Sequence, residues 1–297
     1  MEISVAHSPD ADDFLLFWAI RMQRIDCEGL AFSFRALDTE DLNRAAVRGE
    51  FGITAISSAA YLSLREQYLI LPHGASVSRG YGPALVSPTP CELQSLQKKR
   101  IGIPGQMTTA GSLVRSLLPD ARFVELPLQP FERVYEALAA GEVDAAVLIH
   151  EGQLSYSTRG LQLVLNIGAW WQRETGLPLP LGVNVIRRTL GDELIARTSR
   201  VLRRAIQYGV THVDEISVEL ATMNAARGAD VNTPASVKHY LSLYANKDSL
   251  ELDEECRKAL YRLLDFITTA RLNTARLHTA RQHPAQPPTF DSSIFAP

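Results

Sequence analysis

A chain of 297 residues with 46% hydrophobic and 21% charged residues has the composition of a globular protein, with length for two domains or one large one. Its net charge of -3 gives no electrostatic case for nucleic acid or an acidic membrane, and no apolar run of roughly eighteen residues is present to span a bilayer. Cys27, Cys91 and Cys256 are too scattered for a disulfide framework or a zinc site, and the opening Met1-Glu2-Ile3-Ser4-Val5-Ala6 lacks the basic and apolar regions of a secretory signal. A cytoplasmic protein acting on a small molecule, as monomer or homodimer, is the expectation.

The chain alternates strand and helix patterns. Glu2 to Ala6 reads as a strand, and Phe14 to Met22 as a helix with aspartates near its positive end. Leu30 to Leu37 alternates as a second strand, and the helix from Asp38 to Arg48 is closed by Gly49. Gly52 to Ile56 is a third strand, with Ser57-Ser58 opening the next helix. This βαβαβ order implies a parallel sheet with right-handed crossovers. A second unit runs through a strand at Arg100 to Pro104, a helix at Ala110 to Leu118 and a strand at Arg122 to Leu126. It continues through a helix at Pro130 to Ala140 and a strand at Asp144 to Ile149. Leu161 to Asn166 and Gly182 to Ile186 are extended. From Asp192 onward the pattern is helical, with Arg197–Val210, Val213–Ala226, Pro234–Leu243 and Asp253 to about Arg276 as the segments. Pro284, Pro287 and Pro288 mark an extended tail.

Two such units followed by a return to helices predict a two-lobed α/β molecule with an interlobe cleft. The expected boundaries are 1–90 plus 188–297 for one lobe and 91–187 for the other. Clefts of this kind hold small-molecule sites, and two chain crossings form a hinge whose closure excludes water.

The apolar run Ala145-Ala-Val-Leu-Ile149 ends at His150-Glu151-Gly152-Gln153. The carboxyl end of a buried strand is where open α/β sheets place ligands, so His150 is a candidate general base. The loops Ser8–Asp13, Thr39–Asn43, Ser57-Ser58, Gly105–Ala110 and His150–Gln153 face the same cleft. Their hydroxyls, carboxylates and helix-start amides suit a carboxylate or polar hydroxyls. Asp10, Asp12 and Asp13 lack the converging partners of a hard metal site, and helix capping by Asp12 or Asp13 is the better reading. No phosphate-binding glycine loop or serine nucleophile motif occurs. Of Trp170 and Trp171, one is expected in the core and one on the cleft. Leu177-Pro-Leu-Pro-Leu181 reads as a linker or as a stiff cleft wall.

Taken together, His7-Ser-Pro-Asp-Ala-Asp-Asp13, Gly80-Tyr-Gly-Pro83 and Ile103-Pro-Gly105 with Thr108-Thr-Ala110 resemble one family. Ile149-His-Glu-Gly-Gln153 and the stretch from Trp171 through Thr175-Gly-Leu-Pro-Leu-Pro-Leu-Gly182 complete the resemblance, which is to the 1,4-dihydroxy-6-naphthoate synthases of the futalosine route to menaquinone. It covers roughly residues 1–280, with Ala169 standing where the family has an acidic residue. The resemblance implies a fold like the type 2 periplasmic binding proteins, and no metal or organic cofactor. It also implies a carbon–carbon lyase acting on cyclic dehypoxanthine futalosine, with His150 at the place of the family's proposed base. Ser57, Thr108, Thr109 and the Ala110 amide are then expected to stabilise the developing enolate, with Asn43 and Asp10 on substrate hydroxyls. The rivals are chorismate dehydratase, which shares the fold, and a non-catalytic solute-binding protein.

Overall fold

A computed structural model describes residues 2–130, 132–278 and 290–297. The prolines Pro284, Pro287 and Pro288 lie outside these residues. The first lobe begins with β1 (Glu2–His7), α1 (Ala11–Arg21), β2 (Ala31–Ala36), α2 (Thr39–Val47) and β3 (Ile53–Ser57). A 3-10 turn at Ser58–Ser63 follows, where a full helix was expected, and then β4 (Tyr68–Ile70) and β5 (Ser76–Ser78).

The second lobe holds β6 (Ala84–Ser87), β7 (Arg100–Ile103), α3 (Thr109–Leu117), β8 (Arg122–Glu125) and α4 (Glu132–Ala139). It continues with β9 (Ala145–Leu148), α5 (Gly152–Ser155), β10 (Gln162–Asn166) and α6 (Ile167–Thr175). The chain then returns through β11 (Leu179–Arg187) to α7 (Asp192–Thr211), α8 (Val213–Ala226), α9 (Pro234–Tyr244), α10 (Lys247–Leu250) and α11 (Glu254–His278).

Two sheets result. The first has the order β2-β1-β3-β11-β4, with β5 also on β11, and the second β10-β6-β9-β7-β8. Neither is purely parallel. β1 pairs parallel with β2 and β3, but β11 joins β3 antiparallel. β9 is parallel to β7 and antiparallel to β6. Pairing also moves both crossings earlier than the boundaries expected at 90 and 187. β6 belongs to the second sheet and β11 to the first, so the chain crosses between β5 and β6 and again before Leu179. The short strands β4, β5 and β6 escaped the sequence reading.

The parallel strands aim their following loops at one place. β1, β2 and β3 share a direction, so the loops after His7, Ala36 and Ser57 emerge at one sheet edge. β7 and β9 do the same for Gly105–Ala110 and His150. β9 is the middle strand and buried on every residue, which anchors His150 firmly.

α11 ties the lobes together. Its residues Cys256, Leu260 and Leu264 pack with β4 and β11 of the first lobe, while Leu263 and Ile267 enter the core around Ile101, Leu113 and Trp171 of the second. Helical spacing lets adjacent stripes of one helix serve two cores. Trp171 is fully buried, and Trp170 rests on Phe266 of α11 rather than on the cleft, correcting the expectation for that pair. The segment from Phe290 returns to the first lobe, where Ile294 and Phe295 are buried and Phe295 bridges to Ile70.

Candidate active site

Loops of both lobes enclose a cavity of about 100 Å³. Five of the seven residues predicted for the site line it: His150, Ser57, Thr108, Thr109 and Ala110. Leu181, Gly182 and Val183 of β11 form a wall; of the Leu-Pro-Leu-Pro run, Leu179 and Pro180 open that strand while Leu177 and Pro178 precede it.

His150 is the residue with most constraint on it. Its φ of 52° is left-handed, which costs a non-glycine residue on the order of 1 kcal/mol and persists only when neighbours over-determine it. Gln153 does so here, its Nε2 donating to the His150 carbonyl at 2.8 Å while Tyr244 Oη donates to Gln153 Oε1 at 2.6 Å. The ring lies between two partners: Nδ1 is 2.7 Å from Asp10 Oδ2, and Nε2 is 2.8 Å from Thr39 Oγ1.

Burial alone would lower the His150 pKa, but the charge and hydrogen bond of Asp10, with Asp12 and Glu151, raise it to about 10. The Asp10 carboxylate thus favours the protonated ring while the two are in contact. Burial likewise pushes Asp10 up, yet His150, Ser8 and Arg227 hold its carboxylate below the ordinary range. The charges crowd their neighbours. Burial and Asp12 raise Asp13 to about 7, and burial and Asp10 raise Glu151 to about 8.

Two predicted contacts do not reach the cavity. Asp10 is buried, and its Oδ2 is bonded to the His150 ring. Asn43 is fully buried; its Oδ1 accepts from Ser57 N at 2.9 Å and its Nδ2 donates to Ser57 Oγ at 3.2 Å. Asn43 thus sets the Ser57 hydroxyl, which faces the cavity. Capping by Asp12 or Asp13 is also corrected. Asp13 Oδ2 accepts from Ser8 N at 2.8 Å, ahead of the helix, and Asp12 Oδ1 accepts from Tyr240 Oη at 3.1 Å.

The second-lobe rim is the start of α3. Thr108 caps it, accepting from Gly111 N at 3.2 Å and donating to Gly105 O at 2.8 Å. Thr109 Oγ1 donates to Leu181 O at 2.7 Å and accepts from Ala59 N at 3.2 Å, pinning the helix start to β11. Both hydroxyls are committed, so this rim offers the Thr109 and Ala110 backbone amides, which helix geometry leaves without intrahelical acceptors.

Asp10, Asp12 and His150 present atoms within 4.8 Å of one another. Their geometry is that of an acid–base pair: Nδ1 and Oδ2 are bonded to each other rather than turned toward a common point. Sequence reasoning missed Tyr240 and Tyr244, which line the cavity from α9. Their i, i+4 spacing on a helix reads simply as core. It also missed that Thr39 would face His150, since nothing local links residues so far apart.

The chain matches the model of a menaquinone biosynthesis family over residues 3–269. It is 34% identical over 261 residues to a 1,4-dihydroxy-6-naphthoate synthase of Thermus thermophilus, covering 88% of this chain and 92% of that one. A protein of the same name from Streptomyces coelicolor is 28% identical over 266 residues, covering 88% and 91%. A solved structure from Archaeoglobus fulgidus has a TM-score of 0.82 and 38% identity, covering 91% of this chain and 97% of that one. An alkanesulfonate-binding protein of Xanthomonas axonopodis pv. citri, at 17% identity and TM-score 0.67 over 91% and 93%, shares the fold alone. The fold is periplasmic-binding-protein-like, as the sequence motifs implied, and the chain itself belongs to the menaquinone biosynthesis family.

Proposed function

We propose that this chain is a carbon–carbon lyase that converts cyclic dehypoxanthine futalosine to 1,4-dihydroxy-6-naphthoate with release of dihydroxyacetone. The relatives named for that product support the reading, and the observation that carries it is His150, backed by Asp10, at the wall of a cavity between the lobes. A retro-aldol cleavage needs a group that takes a hydroxyl proton and later returns one. With Nδ1 held on the Asp10 carboxylate, the ring exchanges its proton at Nε2: once that proton has left, the Nε2 lone pair takes the substrate's hydroxyl proton, and the imidazolium that forms, which Asp10 favours, later returns it. Asp10 stabilises that cation and keeps its own charge. The electron pair left by the broken bond becomes an enolate on the ring. The Thr109 and Ala110 amides and the Ser57 hydroxyl are the donors that suit such an oxyanion. The apolar wall at Leu181 and Val183 suits the flat ring that becomes aromatic.

The test is incubation of purified protein with cyclic dehypoxanthine futalosine, following the naphthoate by absorbance and mass. Formation of naphthoate and dihydroxyacetone in equal amounts is expected. No product from the wild-type protein would overturn the reading. Consumption of chorismate would point to the dehydratase instead, and tight binding without turnover to a solute-binding protein.

A further inference from the structure

His150 belongs to the second lobe, whereas both of its ring partners, Asp10 and Thr39, belong to the first. The histidine centre therefore exists only where the lobes meet. Three contacts made by the first turn of α2 bear on this. Asp38 sits at the N-cap position but makes no cap to its own helix. Its Oδ2 reaches the loop after β8 in the other lobe, accepting from Leu128 N at 2.9 Å and Gln129 N at 3.3 Å. A residue suited to capping is thus committed across the cleft. Glu40, two positions on, is buried and accepts from Met107 N at 3.0 Å and 3.2 Å, just before α3. At Gly105 a Cβ would lie 2.5 Å from Glu40 Cβ, so the lobes meet there with no room for a methyl group.

We propose that Asp38 and Glu40 are positioning residues that latch the two lobes together and so seat Thr39 and Asp10 on His150. The inference rests on the proposed function for the reaction it serves, while the closure itself is argued from these contacts.

Closure then has a proton attached to it. The acidic groups facing His150 are Asp10 in the loop after β1, Asp12 of α1, Asp38 at the head of α2, and Glu151 from its own segment. Arg227 of α8 acts on Asp10, and the Tyr240 hydroxyl of α9 is bonded to Asp12. When the lobes part, Asp10, Asp12 and Asp38 leave with the first lobe, and His150 moves back toward its ordinary value of 6.5. Closed, the value is about 10. Closure therefore takes up a proton between these values; it is favoured most below pH 6.5 and weakens as pH rises through 10.

The experiment is small-angle scattering on the ligand-free full chain at pH 7 and pH 10, with kinetics on the same variants. Wild-type protein is expected to be compact at pH 7 and to expand at pH 10, whereas His150→Gln does not respond to pH. Asp38→Ala and Gly105→Ala are expected to be expanded at pH 7, and Asp38→Asn, which keeps an acceptor oxygen, to recover part of the compactness. Turnover by Asp38→Ala should show KM raised roughly 10-fold or more with kcat reduced less, because only the closed fraction is competent. Identical scattering of wild type, Asp38→Ala and Gly105→Ala at pH 7 overturns the proposal, as does a wild-type profile indifferent to pH. A protein that makes no naphthoate removes the proposed function and leaves the scattering result to stand by itself.

Discussion

The carboxylate of Asp10 lies 2.7 Å from His150 Nδ1, although the two residues come from different sheets and opposite sides of the cleft. That contact sets the tautomer, the orientation and the charge of the only histidine lining the cavity among the described residues. Asp10→Asn keeps the size of the side chain and removes the charge. We expect kcat to fall about 100- to 10,000-fold with KM within a few-fold of wild type and an unchanged circular dichroism spectrum. Normal turnover by His150→Ala would remove the histidine from the mechanism while leaving the overall reaction intact.

Thr108 tests the rim. Thr108→Val loses the cap to Gly111 N and the bond to Gly105 O, which should cost about 1 kcal/mol and lower Tm by roughly 2–4 °C. KM should rise as the Thr109 and Ala110 amides lose their fixed direction. Thr108→Ser keeps the hydroxyl and should match wild type in both measurements.

Acid lability should come from two buried imidazoles outside the catalytic pair. Burial lowers His7 and His73 to about 4, so both are neutral in the folded protein. Unfolded, each titrates near 6.5. The sign follows: their contribution is full above 6.5 and is lost as pH falls toward 4, because the unfolded chain binds the extra protons. At pH 5 the loss is about 2 kcal/mol for each. Thermal melts between pH 7.5 and pH 5 should show this slope, and His73→Gln should flatten it. A slope unchanged in that variant would refute the assignment.

Glu151 carries the opposite sign. Its folded value, about 8, lies above the ordinary 4.5, so stability declines as pH rises between them. Its Oε2 is buried without a hydrogen-bond partner, and its Oε1 meets only Asn224 Nδ2, at 3.4 Å. Glu151→Gln should therefore raise Tm by roughly 3 °C or more at pH 8.5, with the gain shrinking toward pH 5. Equal melting at both pH values would count against a strained, buried carboxyl.

Gly168, at the start of α6, packs against the first crossing. A Cβ there would overlap the Tyr81 carbonyl oxygen, in the segment of the first crossing. Gly168→Ala should lower Tm by roughly 10 °C or prevent folding, since backbone must move to admit it. Gly152→Ala, whose nearest neighbour would be Tyr135 Oη at 3.5 Å, should fold normally and serves as the control in the same melts.

Some of this site was legible along the chain. The apolar run into His150 marked a buried strand and a titratable group at its carboxyl end, and both stand where that pattern put them. Ser57 and the Thr108–Ala110 turn followed from the same logic of loops after parallel strands. Asp10 and Asn43 were singled out as well, as substrate contacts; the structure buries both and bonds them to His150 and Ser57. Tyr240 and Tyr244 left no trace beyond helical spacing.

The sequence by itself determined the succession of strands and helices and the chemistry delivered to each loop, because periodicity, glycines and cap residues act over a few neighbours. It also carried the family motifs. Only the tertiary structure decided that His150 would meet Asp10 and Thr39, that β6 and β11 would exchange lobes relative to the expected boundaries, and that α2 would spend Asp38 and Glu40 across the cleft. Those pairings depend on sheet order and lobe closure. They join residues far apart in the chain, where no local pattern can record who will be opposite whom.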